Sequence, residues 1–262
     1  MTTYETIIYE VRHGVGFITL NRPDSLNALN TRMIVELRHA LENADGDKDV
    51  RALILTGGPK CFCAGADVKE LLSMSPSMDA YYRYFAAARE LFCALEKLSK
   101  PTIAAVAGPA MGGGCELALA CDLRLAGENA RFALPEINLG LIPAGGGTQR
   151  LPRVIGMGKA KELVFFGTPV DASEAYRIGL VNRVVPSEQL MEVAEEWACR
   201  LRNQAPLALQ MAKAAVNQTY DAPLDRGLDY EIRCAVSLML TRDREEGIRA
   251  FLEKRKPAFT GF

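Results

Sequence analysis

The chain has 262 residues, of which 49% are hydrophobic and 24% are charged, as in an ordinary globular protein. Its 31 basic and 32 acidic side chains give a formal net charge of −1, which argues against a nucleic-acid-binding protein. The length suits one large domain, or one domain with an appendage, with a core that needs neither disulfides nor metal ions.

Cysteine usage and hydropathy indicate a cytoplasmic protein. The seven cysteines are odd in number and scattered, which favours reduced thiols over a disulfide framework. Cys61 and Cys63 are too close for a zinc knuckle, and neither His13 nor His39 lies near a Cys or carboxylate cluster, so no metal site is expected. The first nine residues do not resemble a signal peptide, and no uncharged stretch reaches the roughly 20 residues of a membrane span.

The first two-thirds of the chain alternate extended and helical periodicities, which predicts an α/β domain. Asn30, Asp67 and Asp171 are predicted to begin helices, and Gly179 to end one. The predicted strands cover 15–20, 52–56, 102–107, 123–126, 131–133 and 180–185, the main loops 21–29, 57–66 and 108–113, and the helices 31–44, the segment from Asp67, 114–121 and the segment after Gly145–Gly147.

After Pro186 the sequence is helical to its end. Pro206 and Pro223 are predicted to begin helices, and Asp243 to be the N-cap of the last one. The methionine and aromatic side chains of this region are expected to be core residues. We divide the chain into a core, 1–195, and a helical region, 196–262, which is expected to pack against another subunit.

Two glutamates are candidate catalytic residues. Glu116 follows Gly112–Gly114 at a predicted helix start, where unpaired backbone N–H groups can stabilise a developing oxyanion. A plain tight turn explains the same glycines equally well. Glu136 stands among Leu, Ile and Pro residues, so it must be paired, exposed or functional. Two carboxylates that reach one site would push their pKa values apart, as an acid–base pair requires.

Several long segments, in order along nearly the whole chain, resemble the enoyl-CoA hydratase/isomerase (crotonase) family. They are Phe62 to Lys69, Ile103 to Ala118, Phe132 to Gly140, Gly146 to Pro152 and Phe251 to Arg255.

The resemblance implies an α/β fold, a crotonase-like spiral of repeated ββα units, followed by a C-terminal helical trimerisation region. It implies a homotrimer, or a homohexamer built as a dimer of trimers. The implied oxyanion hole is formed by the N–H groups of Ala66 and Gly113. The implied coenzyme A contacts are Leu26, Ala28, Ala64, Ala66, Asp67, Val68 and Lys69, although Lys69 could equally be a solvated helix-face lysine.

The implied reaction is the hydration of a 2-enoyl-CoA in fatty-acid β-oxidation or related acyl-CoA metabolism, without a metal or redox cofactor. The two hydratase carboxylates correspond to Glu116 and Glu136. The resemblance suggests Glu136 as the proton donor to Cα and Glu116 as the residue that orients and deprotonates water. The sequence leaves this division open.

Two alternatives remain at this stage. Another acyl-CoA reaction on the same scaffold, such as double-bond isomerisation or hydrolysis, often retains one carboxylate or neither, so the paired glutamates argue against it. A non-catalytic, RNA-binding member would need a basic patch, but the first predicted helix mixes Arg32 and Arg38 with Glu36 and Glu42.

Overall fold

The computed structural model describes residues 3–262, which form two β-sheets surrounded by helices. The strands are β1 (Ile7–Arg12), β2 (Val15–Leu20), β3 (Ala52–Thr56), β4 (Thr102–Val106), β5 (Pro109–Met111), β6 (Leu123–Gly127), β7 (Arg131–Ala133), β8 (Val170–Asp171) and β9 (Arg183–Val185). The larger sheet has the order β1–β2–β3–β4–β6–β9, and the smaller has the order β5–β7–β8.

The chain alternates between the two sheets as it advances. β4 in the larger sheet is followed by β5 in the smaller one, and β6 is followed by β7 in the same way. The pairs β3–β4, β4–β6 and β5–β7 are all parallel, so each repeat is displaced by one strand in both sheets. This arrangement confirms the predicted α/β spiral of ββα units.

Helices complete each repeat. They are α1 (Thr31–Gly46), α2 (Val68–Ser73), α3 (Met78–Lys97), α4 (Gly113–Ala120), α5 (Gly147–Ile155), α6 (Met157–Phe166), α7 (Ala172–Arg177), α8 (Leu190–Arg202), α9 (Pro206–Asn217), α10 (Leu224–Leu238) and α11 (Arg242–Leu252). The predicted caps Asn30, Asp67 and Asp171 each accept a hydrogen bond from a first-turn N–H, which confirms those helix starts. No helix within residues 3–262 is long and apolar enough to cross a membrane.

The core lies on both faces of the larger sheet, because β3 and β4 are buried along their whole length. Alternate side chains point to opposite faces of a strand. Leu53 and Leu55 therefore pack with α1 and α3 on one face. Ile54 and Ile103 pack with the small and apolar residues of α8 on the other.

Several local predictions were wrong. Thr241, not Asp243, caps α11, with its Oγ1 accepting from Arg244 N at 3.2 Å. Asp243 is buried and instead binds the C-terminal tail, since its carboxylate accepts from the N–H groups of Thr260 and Gly261 at 2.7 and 2.8 Å. The strand predicted over 180–185 begins only at Arg183, because the N–H groups of residues 180 and 181 donate to Ala175 O.

The C-terminal region includes one helix that belongs to the core. α8 buries Leu190, Ala194 and Ala198 against the larger sheet, so a division after residue 195 falls inside this helix. α9, α10 and α11 leave large apolar side chains in solvent. Met191 and Trp197 on α8 pack against the core, as predicted. Met239 is 53% exposed and Phe251 82% exposed, so for these two the prediction of core residues is wrong in the single chain.

Candidate active site

The N-terminus of α4 packs directly on the segment between Cys63 and Ala66. Gly112 precedes the helix with φ = +50°, a backbone conformation that favours glycine. A Cβ atom on Gly114 would lie 2.2 Å from Cys63 O, so only glycine permits this contact. The glycine run therefore brings the unpaired N–H groups of a helix start beside a second backbone segment.

Ala66 and Gly113 present two backbone N–H groups at this junction. A Cβ built on Gly113 would stand 3.5 Å from Ala66 N, so the two residues are neighbours. Leu29 fixes the Ala66 segment, with Leu29 N donating to Gly65 O at 2.7 Å and Asp67 N donating to Leu29 O at 2.9 Å. Within residues 3–262 neither Ala66 N nor Gly113 N donates a hydrogen bond, which leaves both able to bind an oxyanion.

Both residues line a cavity of about 110 Å³. Its walls are mostly apolar and come from α1, α2, α3, α4, the loop 64–66 and the segment 135–145. The carboxylates in this lining are those of Glu116 and Glu136. The other lining residues include Leu29, Ile34, Ala64, Val68, Leu71, Tyr84, Phe85, Ala88, Phe92, Leu139, Leu141 and Ile142.

Glu116 lies in the first turn of α4 and is only 4% exposed. The backbone N–H groups of Gly145 and Gly147 donate to its Oε1 at 2.8 and 2.7 Å. Burial raises the pKa of Glu116, while these hydrogen bonds and the charge of Arg150 act against that rise. One oxygen of Glu116 is thus held in place by two donors that favour the ionised carboxylate.

Glu136 has a different environment. It lies in a 3₁₀ turn, Pro135–Leu139, and its Oε2 is buried without a hydrogen-bond partner among the described residues. Burial and the nearby Glu116 raise the pKa of Glu136 to about 7. Two carboxyl groups with unequal environments in one cavity can serve as base and acid at neutral pH.

The structure places the ten predicted site residues unequally. Ala64, Ala66, Val68, Gly113, Glu116 and Glu136 line the cavity. Leu26, Ala28, Asp67 and Lys69 lie outside its lining, although Leu26 O accepts from Ala64 N at 3.0 Å. The side chain of Asp67 caps α2 and forms an ion pair with Arg22 at 3.0 Å, so it has a structural role.

Asp122, shortly after α4, has a structural role. Its Oδ2 accepts from Thr102 N at 2.8 Å and pairs with Lys213 Nζ at 2.9 Å. Of the three tyrosines on α3, Tyr81, Tyr82 and Tyr84, the last one lines the cavity. The hydroxyl of Tyr84 donates to Leu29 O at 3.0 Å.

The sequence did not predict that the loop Gly145–Gly147 binds the Glu116 carboxylate. The glycine triplet predicted a helix start, which α5 confirms, and Gly145 also lines the cavity. The hydrogen bonds of the loop to Glu116 join residues 29 and 31 positions apart, whereas Arg150 contacts the loop from five positions away. In the sequence, the glycine triplet is the local feature that could have indicated these hydrogen bonds.

A ββα spiral with paired carboxylates beside two free backbone N–H groups, as described for residues 3–262, defines an enzyme suited to reactions that pass through an oxyanion. The family model described as enoyl-CoA hydratase/isomerase matches residues 10–261. The chain belongs to the enoyl-CoA hydratase/isomerase family.

Individual relatives match over almost their full length. A probable enoyl-CoA hydratase of Mycobacterium tuberculosis is 47% identical over 258 residues, which cover 98% of this chain and 99% of the relative. A short-chain-enoyl-CoA hydratase of Clostridium acetobutylicum is 43% identical, with 95% of each chain covered. The crystal structure of an enoyl-CoA hydratase from Bacillus anthracis has a TM-score of 0.95 at 40% identity, covering 98% of this chain and all of that one.

Proposed function

We propose that this protein is an enoyl-CoA hydratase that adds water reversibly to a 2-enoyl-CoA and forms a 3-hydroxyacyl-CoA. The observation that carries the proposal is the presence of Glu116 and Glu136 in one cavity with the N–H groups of Ala66 and Gly113. The full-length relatives named as hydratases support the same reaction.

The thioester carbonyl would accept hydrogen bonds from Ala66 N and Gly113 N. As water adds to Cβ, the electrons of the Cα=Cβ double bond move towards the thioester and leave negative charge on its oxygen. Donors fixed in advance at that position stabilise this charge without reorganisation. The apolar walls keep bulk water from competing.

The two glutamates would divide the proton transfers. Glu116, whose Oε1 is held by two N–H groups, accepts a proton from the attacking water as the O–Cβ bond forms. Glu136, whose pKa is raised to about 7, donates its proton to Cα. Each hydration transfers one proton from Glu136 to Cα and one from water to Glu116, and exchange with solvent restores the starting state.

The coenzyme A portion would extend from the cavity past Ala64 and Val68. We place its path along Leu26, Ala28 and the backbone of α2, where the exposed Lys69 is available for a phosphate group. The proposed reaction uses the side chains and backbone of this chain with its acyl-CoA substrate, without a separate cofactor.

The C-terminal helices would form contacts between subunits. Leu228, Ile232 and Val236 lie four residues apart on α10 and are all at least 50% exposed. Residues at this spacing share one helix face, and a stripe of exposed apolar side chains is typical of a protein interface. We propose a homotrimer or homohexamer that works in the cytoplasm in fatty-acid or related acyl-CoA metabolism.

Crotonyl-CoA provides the test. The purified protein should abolish the absorbance of the conjugated thioester and yield 3-hydroxybutyryl-CoA. A 3-enoyl-CoA assayed in parallel separates hydration from double-bond isomerisation, since an isomerase would convert it and leave crotonyl-CoA unhydrated. No turnover of 2-enoyl-CoA substrates of several chain lengths would refute the proposal.

A further inference from the structure

Arg150 connects the loop that holds Glu116 to helix α3. Its Nη1 donates to Gly145 O at 2.9 Å, and its Nη2 donates to Glu96 Oε2 at 2.7 Å. The side chain of Arg150 is 13% exposed, compared with 40% for Glu96. A largely buried guanidinium that binds a carbonyl and a carboxylate together is held in one orientation.

The peptide group between Gly145 and Gly146 faces Arg150 on one side and Glu116 on the other. Its C=O accepts from Arg150, while the Gly146 N–H, at the opposite end of the same planar group, helps to lower the pKa of Glu116. The N–H of the preceding peptide donates directly to Glu116 Oε1. Rotation of this peptide would therefore break the Arg150 contact and disturb the donors around Glu116 together.

The loop and the guanidinium are in close contact. Gly146 has φ = +116°, and a Cβ there would lie 2.1 Å from Arg150 Nη1. Arg150 thus occupies the space beside the loop that a side chain would fill. Glu96 in turn anchors Arg150 on α3, the helix that also supplies Phe92 to the cavity wall.

We propose that Arg150, acting through the Gly145–Gly147 loop, positions the Glu116 carboxylate for the reaction. This inference rests on the proposed role of Glu116 as the base. Arg150 is a positioning residue, because its contacts are with Gly145, Glu96 and Cys93 and it does not line the cavity.

The charge of Arg150 gives this role a signature in the pH profile. The titratable and charged groups around Glu116 are Arg150 on α5, Glu136 on the 3₁₀ turn, and Cys115 on α4, with Glu96 and Cys93 of α3 reaching it through Arg150. Removing the positive charge disfavours the carboxylate, so the pKa of Glu116 rises. A base must be ionised to act, so as the pH is lowered a variant without the Arg150 charge would lose activity at a higher pH than the wild type does.

The test compares Arg150→Met with Arg153→Met. Arg153 lies on the same helix and is exposed. Within residues 3–262 its side chain donates only to Gln149 O of α5, at 2.8 Å, so its removal should leave activity unchanged. Arg150→Met is expected to lower kcat by about 10²-fold with little change in KM, since a small displacement of a catalytic group has that effect. The acid limb of its pH profile should move to higher pH.

Arg150→Lys and Glu96→Gln keep the inference testable in case Arg150→Met does not fold. The lysine retains the charge, so it should restore the acid limb but only part of kcat. Glu96→Gln keeps the arginine without its anchor and should show a smaller loss of kcat than Arg150→Met. The inference is overturned if Arg150→Met retains kcat within about threefold of the wild type, or if kcat falls while the acid limb stays in place.

A direct titration separates this inference from the proposed function. Infrared difference spectra of the wild type against Glu116→Gln report the ionisation of Glu116 without any substrate. If the wild type does not hydrate 2-enoyl-CoA, the proposed function fails, but an upward shift of this titration in Arg150→Met still supports the role of Arg150. No shift of the titration would refute it.

Discussion

Glu116 and Glu136 line one cavity, but their carboxylates have opposite hydrogen-bonding environments. Glu116 Oε1 accepts from the N–H groups of Gly145 and Gly147 at 2.8 and 2.7 Å. Glu136 Oε2 is buried and finds no partner in the part of the chain that the structure describes. Burial raises the pKa of both carboxyl groups, but at Glu116 the hydrogen bonds from Gly145 and Gly147 oppose this rise. This difference favours Glu116 as the base and Glu136 as the acid.

The same difference predicts a pH-dependent cost in stability at Glu136. Its pKa is raised from 4.5 to about 7 in the folded protein, chiefly by burial. The protonated side chain therefore stabilises the fold below pH 4.5, and this contribution is lost as the pH rises through about 7. Glu136→Gln, which cannot ionise, should raise the Tm at pH 8 by about 2–4 °C, with a smaller change at pH 5.

Calorimetry at the two pH values checks this, with the exposed Glu128→Gln as the control. A Tm change of Glu136→Gln that is the same at pH 5 and pH 8 would show that ionisation of Glu136 does not destabilise the fold.

The loop that holds Glu116 should tolerate no side chain at Gly145. A Cβ there would lie 2.2 Å from Phe92 Cε2 and 2.7 Å from Glu116 Oε2. Gly145→Ala is expected to lower kcat by about 10²-fold, because the carboxylate must move. Gly158→Ala is the matched control, since a Cβ at that position on α6 meets no atom within 4 Å. Steady-state kinetics of both variants measure this loss. Equal kcat values for Gly145→Ala and Gly158→Ala would show that the loop accommodates the added methyl group.

Arg124 should contribute strongly to stability. It is buried, and it donates to Leu180 O at 2.8 Å, Cys121 O at 2.6 Å and Ala118 O at 3.3 Å. Two of these carbonyls end the helix that carries Glu116. Arg124→Met removes the donor from Leu180 O and Cys121 O and should reduce the free energy of unfolding by about 2–4 kcal/mol. Ala118 O keeps the hydrogen bond from Cys121 N.

Urea denaturation at one protein concentration measures this loss. Arg131→Met serves as the control, because Arg131 is exposed and, among the described residues, its side chain donates only to the neighbouring Ala130 O. If the two variants unfold at the same urea concentration, the buried hydrogen bonds of Arg124 do not contribute as expected.

The cavity predicts a preference for short acyl chains. Its volume of about 110 Å³ is small beside the roughly 300–1,000 Å³ of pockets for larger ligands. The value of kcat/KM should be highest for the four-carbon substrate and at least about tenfold lower for the ten-carbon one. Phe85→Ala enlarges the cavity and should reduce the ratio of kcat/KM for the four-carbon substrate to that for the ten-carbon substrate. Phe165 lies outside the cavity, so Phe165→Ala should leave this ratio unchanged. A flat chain-length profile in the wild type would contradict the prediction.

Local signals explain what the sequence predicted well. Asn30, Asp67 and Asp171 cap their helices through bonds to residues two or three positions on, so composition and spacing were sufficient. Asp243 shows the limit of such reasoning. Thr241 and Asp243, two positions apart, can both cap a helix. The tail near Thr260 binds the aspartate, so the threonine caps α11.

The same distinction between local and long-range contacts applies to the candidate site. Glu116 and the glycines before it form one continuous segment, so their proximity could be predicted. The bonds from Gly145 and Gly147 to Glu116 span 29 and 31 residues, and only the folded chain brings these groups together. The unequal environments of Glu116 and Glu136 depend on those contacts, which is why the sequence left the division of their roles open.

The most direct test of the paired glutamates is the kcat for crotonyl-CoA hydration in Glu116→Gln and Glu136→Gln. Each amide keeps the shape of the side chain but removes its proton transfer, so each should lower kcat by about 10²–10⁴-fold. The double variant should lose much less than the product of the two, because the residues act together. A folded single variant with a kcat within about tenfold of the wild type would contradict the role assigned to that glutamate.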